Sequence, residues 1–200
     1  MILQQMYTCG KLIGQYKISK NNIADINKKY EKAKHTLKSY GPKLAGRLDS
    51  ELDLMPIIAN TTAFKSITKC MDNYIDAIIK TKLLPPGAKN LEIIGCWVND
   101  MVRGEYNPLH THNDAIGFST VLFLKVPKFI NDVKDPHKFK DGILTFVSPN
   151  GEHILDFAPK VGDFFIFQAN HMHTVNPFKT KNVDEVRRSM SFNFVIKENK

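Results

Sequence analysis

The chain contains no run of about 18 apolar residues, which is the length that a membrane-spanning helix requires. Its first residues, MILQQMYTCGKLIGQYK, do not combine a basic segment, an apolar stretch and a small-residue cleavage site, so we expect no signal peptide. The three cysteines, Cys9, Cys70 and Cys96, are odd in number and widely spaced, which argues against a disulfide framework and against a zinc site. We therefore expect a protein of a reducing compartment, the cytoplasm, with no membrane partner.

The sequence also lacks the glycine-rich motifs that bind nucleotides, and it contains no internal repeat. Hydrophobic residues make up 42% and charged residues 24% of its 200 residues, which is the balance of one globular domain. The net charge of +8 comes mainly from lysines scattered along the chain, with no basic run interleaved with aromatic residues. A peptide, protein or small-molecule substrate is therefore favoured; nucleic acid stays open as a partner, and the oligomeric state is not indicated.

Apolar residues at helical spacing predict that residues 1–90 are mostly helical. Asn21 or Asn22 is expected to cap a first helix that Gly41-Pro42 ends, and a second helix is expected near residues 62–80, before Pro85-Pro86-Gly87. The apolar stripe of the first helix consists of Ile23, Ile26, Tyr30, Ala33, Leu37 and Tyr40, and that of the second of Phe64, Ile67, Met71, Tyr74, Ile75 and Ile78.

After residue 90 the apolar residues alternate, which predicts strands. The expected strands are Leu91–Val102, Phe118–Val126, Ile143–Val147, His153–Phe157, Asp163–Gln168 and Arg187–Lys197. Many short strands without intervening helices predict an antiparallel sandwich or a small barrel, with the helices on one outer face. We expect one domain, mainly β with N-terminal helices, in which residues 1–90 form a helical or mixed buttress and residues 91–200 form the β core.

The last predicted strand places polar residues on one face, because side chains alternate along a strand. Arg187, Ser189, Ser191 and Asn193 share that face, whereas Arg188 points to the opposite one. The polar face either meets solvent or looks into a cavity of the barrel. In the second case the buried charge of the guanidinium requires an anion.

Four of the seven histidines occur in two close pairs, His110-Thr111-His112 and His171-Met172-His173. The first pair is followed by Asp114, and an imidazole and a carboxylate two residues apart can bind one metal ion from one face of an extended segment. Two histidines and one carboxylate on one face of the ion are the ligand set of non-haem Fe(II) oxygenases. A single histidine more often has a structural role than a metal-binding one. The metal site is therefore predicted from the order of the motifs along the chain and not from any one histidine.

The whole series of motifs resembles one known superfamily. The series comprises Leu44-Ala45-Gly46, Trp97-Val98-Asn99, the segment from Gly104 to His112, Ser119 at the start of a strand, the segment from Gly142 to Phe146, the segment from Pro159 to Asp163, Phe167, the segment from His173 to Pro177 and the segment from Arg187 to Asn193. Over about residues 91–197 it resembles the 2-oxoglutarate/Fe(II)-dependent oxygenases, and more closely the prolyl-4-hydroxylase-like oxygenases of bacteria and their phages.

The resemblance implies a double-stranded β-helix (jelly-roll) catalytic core in residues 91–200, buttressed by helices on one face. It implies a dioxygenase that uses Fe(II), the co-substrate 2-oxoglutarate and O2 to hydroxylate a C–H bond, most simply of a peptide or protein side chain. Iron is expected on His112, Asp114 and His173. The far carboxylate of 2-oxoglutarate is expected on Arg187, with Ser189 beside it.

Two further residues, Tyr106 and Asn99, are expected in the pocket near the co-substrate, because they lie on the strand and the approach that lead to the metal. The long segment 127–141 is a candidate lid over that pocket. Its lysine-rich composition also fits a plain connector.

Two choices of ligand stay open. Some relatives read H-x-H at this point, so His110 is an alternative to His112; we prefer His112 because it forms the H-x-D pair with Asp114. His171 is an alternative to His173, which the residues that follow it favour.

The competing hypothesis is a cupin that is not an oxygenase, such as a metal-dependent isomerase or a sugar-binding module. Gly104, His110 and His112 match the opening of the first cupin motif. The match then breaks, because the Glu expected four or five residues after the second histidine is replaced by Ile116 or Gly117.

Overall fold

The computed structural model describes residues 3–85, 87, 90–112, 117–130, 134 and 139–197. Within these residues the chain is mainly β with few helices. The strands are β1 (Leu3–Thr8), β2 (Leu12–Lys17), β3 (Ser50–Asp53), β4 (Leu91–Met101), β5 (Asn107–His110), β6 (Phe118–Lys125), β7 (Leu144–Val147), β8 (Ile154–Phe157), β9 (Asp163–Gln168), β10 (Met172–Val175) and β11 (Arg187–Ile196). The helices are α1 (Lys20–Ala33), α2 (Met55–Ile58) and α3 (Phe64–Lys80), with one 3₁₀ turn at Gly41–Lys43.

The strands form two antiparallel sheets. The major sheet has seven strands in the order β1-β2-β9-β6-β11-β4-β3, and the minor sheet has four in the order β5-β10-β7-β8. Neighbours in each sheet come from distant parts of the chain, since β11 pairs with both β4 and β6. The prediction of a mainly β domain is confirmed, and the arrangement is consistent with a jelly-roll-like fold.

Two apolar layers enclose the major sheet. The outer layer joins α1 and α3 to that sheet through residues such as Ile26, Met71 and Phe192. The inner layer joins the two sheets and is rich in phenylalanine, including Phe123 and Phe146. Among the described residues, no helix combines the length and the apolarity that crossing a membrane requires.

The two predicted helices are present, with different bounds for the first. Helix α1 is capped by the Ser19 hydroxyl, which accepts a hydrogen bond from the Asn22 backbone N–H, rather than by Asn21 or Asn22. It ends at Ala33 instead of Gly41, because the residues that follow bond to β3: the Tyr40 N–H donates to the Glu51 carbonyl at 2.7 Å. Long-range strand contacts thus override the helical spacing beyond residue 33.

All six strands predicted after residue 90 are observed, within one residue at each end. Strands β1, β2 and β3 were not predicted, so the first ninety residues are less helical than expected. They add three strands to the edges of the major sheet, where β2 pairs with β9 and β3 pairs with β4. Their short sequences, such as LIGQYK, lack an alternating pattern because β2 is buried over most of its length.

Candidate functional site

Three histidines converge between the two sheets. His110 on β5 and His173 on β10 are directly opposite each other in the antiparallel pairing, so both side chains project from the same face of the minor sheet. His112 follows two residues after His110, and its backbone N–H donates to the Ala169 carbonyl at 2.9 Å. One ligand atom from each of the three imidazoles lies within 4.8 Å of the others. The cluster can therefore hold a metal ion.

Backbone carbonyls orient two of these rings. Nδ1 of His173 lies 2.9 Å from the His171 carbonyl, and Nδ1 of His110 lies 2.7 Å from the Pro108 carbonyl. A carbonyl accepts a hydrogen bond from Nδ1–H, so the proton stays on Nδ1 and the lone pair on Nε2 of each ring is available to a metal. Burial lowers the pKa of His112 to about 4 and the pKa of His173 well below its ordinary value, so the rings are neutral at pH 7.

The cluster contains His173 and not His171, whose ring packs against Phe146 and Phe167 instead. Both His110 and His112 belong to the cluster, so its geometry leaves the choice between them open. Asp114, the expected carboxylate ligand, lies outside the described residues.

Arg187 is completely buried, yet no carboxylate pairs with it among the described residues. Its Nη1 lies 3.3 Å from the Met101 sulfur, and its guanidinium carbon lies 4.8 Å from the centre of the Phe123 ring. Nε and Nη2 have no hydrogen-bond partner in the described structure. Burial lowers the pKa of Arg187 to about 9, so the guanidinium stays charged at pH 7. A buried cation of this kind requires an anion to compensate it.

A small pocket, part of it open to solvent, lies between the sheets beside the histidine cluster. Its walls include Ser189 and Ser191, which follow Arg187 on the same face of β11, and Asn99 on β4. Asn99 is buried, and its Oδ1 has no partner among the described residues. The pocket also contains the segment 44–46 that the sequence analysis singled out.

Tyr106, which the sequence predicted to lie in the pocket, does not line it. Its side chain is 39% exposed and is absent from the pocket walls, and its carbonyl accepts a hydrogen bond from the Arg47 N–H at 2.9 Å. Of the candidate lid 127–141, the structure describes the two ends and residue 134. At the first end, the Phe129 ring packs on Phe178 at 5.0 Å and the Ile130 N–H donates to the Lys179 carbonyl.

The sequence analysis missed one charged residue of the pocket, Glu51 on β3. It is 5% exposed and lies opposite Asn99 in the pairing of β3 with β4. Burial, with a smaller effect of the Glu105 carboxylate, raises the pKa of Glu51 to about 7. No motif signals this position, because β3 is a short strand whose membership of the sheet the sequence does not reveal.

The donors present fit the two groups that the sequence analysis expected. Neutral imidazole nitrogens suit a divalent transition metal such as Fe(II). The unpartnered N–H groups of Arg187 suit a carboxylate, which a guanidinium binds through two parallel hydrogen bonds. One site for a metal and one for an anion therefore lie in the same inter-sheet layer.

The chain was compared with known protein families, and one family matches it. Residues 95–193 match the family described as "Putative 2OG-Fe(II) oxygenase". This segment contains the three clustered histidines and Arg187. No curated protein matches the chain in sequence.

Among the solved structures that share this fold, three are described as prolyl hydroxylases. A prolyl-4-hydroxylase of Pseudomonas putida superposes with a TM-score of 0.61 at 18% identity, covering 93% of each chain. A prolyl hydroxylase of Trichoplax adhaerens, in complex with a peptide fragment of the hypoxia inducible factor oxygen degradation domain, gives 0.61 at 14% identity and covers 94% of this chain and 84% of its own. The viral collagen prolyl hydroxylase of Paramecium Bursaria Chlorella virus-1, in complex with 2-oxoglutarate, gives 0.56 at 15% identity and covers 94% and 98%.

Proposed function

Because residues 95–193 place the chain in the 2-oxoglutarate/Fe(II) oxygenase family, we propose that it is a dioxygenase that hydroxylates a C–H bond of a peptide or protein side chain. The family implies Fe(II), 2-oxoglutarate and O2 as its reactants. The observation that supports the proposal best is the fully buried, unpaired Arg187 in the layer that also holds three clustered histidines. A cupin isomerase or a sugar-binding module is not favoured.

We assign the metal to His112, Asp114 and His173, with His110 beside them in the cluster. The carbonyl that bonds Nδ1 of His173 supports this assignment, because it holds that ring with Nε2 available; His112 is preferred to His110 because it forms the H-x-D pair with Asp114. Bound there, Fe(II) would supply the redox chemistry that couples the oxidation of 2-oxoglutarate by O2 to hydroxylation of the substrate. The protein positions the reactants and excludes water with its phenylalanine-rich inner layer.

Arg187 is assigned to the far carboxylate of 2-oxoglutarate. Its Nε and one terminal nitrogen are free to donate in parallel, and the Ser189 hydroxyl is available on the same face of β11. Asn99 lies opposite Ser189 in the pairing of β4 with β11 and extends this polar row. We keep Tyr106 as a weaker candidate, since a contact with the co-substrate would require its exposed ring to move inward.

The fold supports a peptide or protein substrate. The three solved neighbours are prolyl hydroxylases, and the Trichoplax enzyme was captured with a peptide. We also propose that the two sheets form the double-stranded β-helix of residues 91–200. In this assignment residues 1–90 buttress that core within the same domain.

The test is the release of succinate from 2-oxoglutarate without added substrate, measured with Fe(II) and O2. His173→Ala and Asp114→Ala are expected to abolish this release, because each removes one metal ligand, whereas circular dichroism is expected to show an intact fold. His35→Ala, which changes an exposed histidine of the helical side, is the matched control and retains wild-type release. Wild-type release by both ligand variants would disprove the assignment.

A further inference from the structure

The pocket wall opposite the minor sheet contains a carboxyl group that the binding of iron and 2-oxoglutarate does not use. Glu51, Asn99 and Ser189 occupy matching positions on β3, β4 and β11, so they form one row across the major sheet. All three line the pocket. Arg187 precedes Ser189 by two residues on the same face of β11 and is not itself among the pocket-lining residues, so an anion held by Arg187 and a group held by Glu51 would occupy different places along the inner face of the major sheet.

The carboxyl group of Glu51 has no hydrogen-bond or ion-pair partner among the described residues, although the side chain is only 5% exposed. Two glycines lie against the carboxyl group of Glu51, and a side chain at either position would intrude on it. A Cβ placed on Gly46 would lie 2.5 Å from Oε1 of Glu51 and 2.6 Å from Oδ1 of Asn107. A Cβ placed on Gly41 would lie 3.1 Å from Oε2 of Glu51. The absence of side chains at Gly41 and Gly46 therefore makes room for the carboxyl group of Glu51.

Neutral side chains lie beside Glu51, namely the amides of Asn107 and Asn99, whose oxygens can accept and whose NH2 groups can donate. Oδ1 of Asn107 and Oε1 of Glu51 approach the same point beside Gly46, and Oδ1 of Asn99 on the neighbouring strand has no partner in the described structure. Burial without a compensating cation raises the pKa of Glu51 to about 7, and the nearest acid, Glu105, raises it further. A buried carboxylate without a partner is costly, and a ligand that brings a positive charge removes that cost.

We propose that Glu51 determines substrate specificity by pairing with a cationic group, the ammonium or guanidinium of a lysine or arginine side chain in the substrate. Acceptors on three chain segments suit a group with several N–H donors, as both cations have. In its ionised form, which prevails above the pKa of about 7, Glu51 repels the dicarboxylate co-substrate and attracts a cation. This inference rests on the proposed function, since it assumes that the pocket admits a substrate beside 2-oxoglutarate.

The probes are three blocked amino acids: Nα-acetyl-lysine N-methylamide, Nα-acetyl-arginine N-methylamide and the uncharged Nα-acetyl-norleucine N-methylamide. Their dissociation constants are measured by calorimetry at pH 8 on protein loaded with Zn(II) in place of Fe(II) and with 2-oxoglutarate, so that no turnover occurs. Trp97 is the only tryptophan and lines the pocket, so its fluorescence reports whether a probe binds there. We expect at least one cationic probe to bind ten times or more tightly than the norleucine probe.

The variant that tests the role of the carboxylate is Glu51→Gln, which keeps the size of the side chain and removes its charge. It is expected to reduce the cationic preference to less than threefold. Glu92→Gln, which changes a surface acid paired with Lys197, is the matched control and retains the full preference. Equal or undetectable binding of all three probes by the wild type, or a preference that survives in Glu51→Gln, overturns the proposal.

A separate measurement distinguishes failure of the Glu51 proposal from failure of the proposed dioxygenase function. Glu51→Gln is expected to retain the thermal stabilisation by 2-oxoglutarate, because Arg187 is unchanged. If the wild type itself is not stabilised by 2-oxoglutarate, the proposed function fails. If it is stabilised but shows no cationic preference, only the assignment of Glu51 fails.

Discussion

Arg187 and Arg188 are neighbours in the sequence, and both are buried, but they have opposite surroundings. Arg188 points toward the helices and is fully paired. Its Nε and Nη2 donate to the two carboxylate oxygens of Asp100 at 2.5 and 2.8 Å, and Nη2 also lies 2.7 Å from Glu31. Its guanidinium lies 4.4 Å from the centre of the Tyr30 ring. Arg187 points between the sheets and meets a methionine sulfur and a phenylalanine ring.

The difference shows how one strand serves two purposes. On the outer face of β11, the partners of the guanidinium are part of the protein, so the charge joins α1 to the major sheet. On the inner face no such partner exists among the described residues, and in the function that we propose a bound anion compensates the charge. The paired Arg188 therefore stabilises the fold. Arg187, which has no acid beside it in the described structure, is expected to destabilise the protein until an anion binds.

The largest expected effect is the loss of the outer pair. Arg188→Ala leaves Asp100 without its bidentate partner in a largely buried place and should lower the free energy of unfolding by about 3–5 kcal/mol. Urea denaturation measures this loss. In a double-mutant cycle, Asp100→Ala should add much less to Arg188→Ala than it costs alone, and additive effects would refute the pairing.

Arg187→Met is the matched change on the inner face. It should weaken the binding of 2-oxoglutarate about 100-fold, which corresponds to roughly 2.7 kcal/mol, because a charge-assisted bidentate contact is lost. The free energy of unfolding of the protein without 2-oxoglutarate should stay the same or rise, because an unpaired buried charge is removed. Calorimetric titration and urea denaturation measure the two effects. A variant that loses stability but keeps its affinity would reverse our assignment of the two faces.

Glu51→Gln tests a second unpaired group of the inner face. The folded-state pKa of Glu51, about 7, exceeds the ordinary value of 4.5, so its contribution to stability is complete below pH 4.5 and is lost as the pH rises through 7. At pH 8 the variant should therefore exceed the wild type in free energy of unfolding by roughly 1–3 kcal/mol, and at pH 4 the difference should disappear. Urea denaturation at several pH values tests this; a difference independent of pH would mean that the carboxyl is not held protonated.

Tyr30→Phe should have the smallest effect. It removes the hydroxyl that donates to Asp100 at 3.1 Å and keeps the ring beneath Arg188, so we expect a loss of about 1 kcal/mol. Thermal and urea denaturation measure it. A loss as large as that of Arg188→Ala would show that the hydroxyl, and not the guanidinium, dominates the outer network.

Much of the β core could be predicted because its strands are locally encoded. Alternation along residues 187–196 separates Arg187 from Arg188, and turn residues delimit each strand. Helix α3 follows from its spacing in the same way. Strand β3 could not be predicted, because only its pairing with β4 gives it a structure, and Glu51 was missed with it. The end of α1 was misplaced for the same reason.

The sequence by itself determined which residue types are available: paired histidines, a polar strand face and two adjacent arginines. Alternation of side chains is a local property, so it also determined that these arginines point to opposite faces. Only the tertiary structure decided that Asp100 compensates one arginine while the other meets no acid in the described part of the chain, and that His173 rather than His171 joins His110 and His112. These pairings depend on contacts between segments that are far apart in the chain, and a local sequence pattern does not indicate which distant segments come close together.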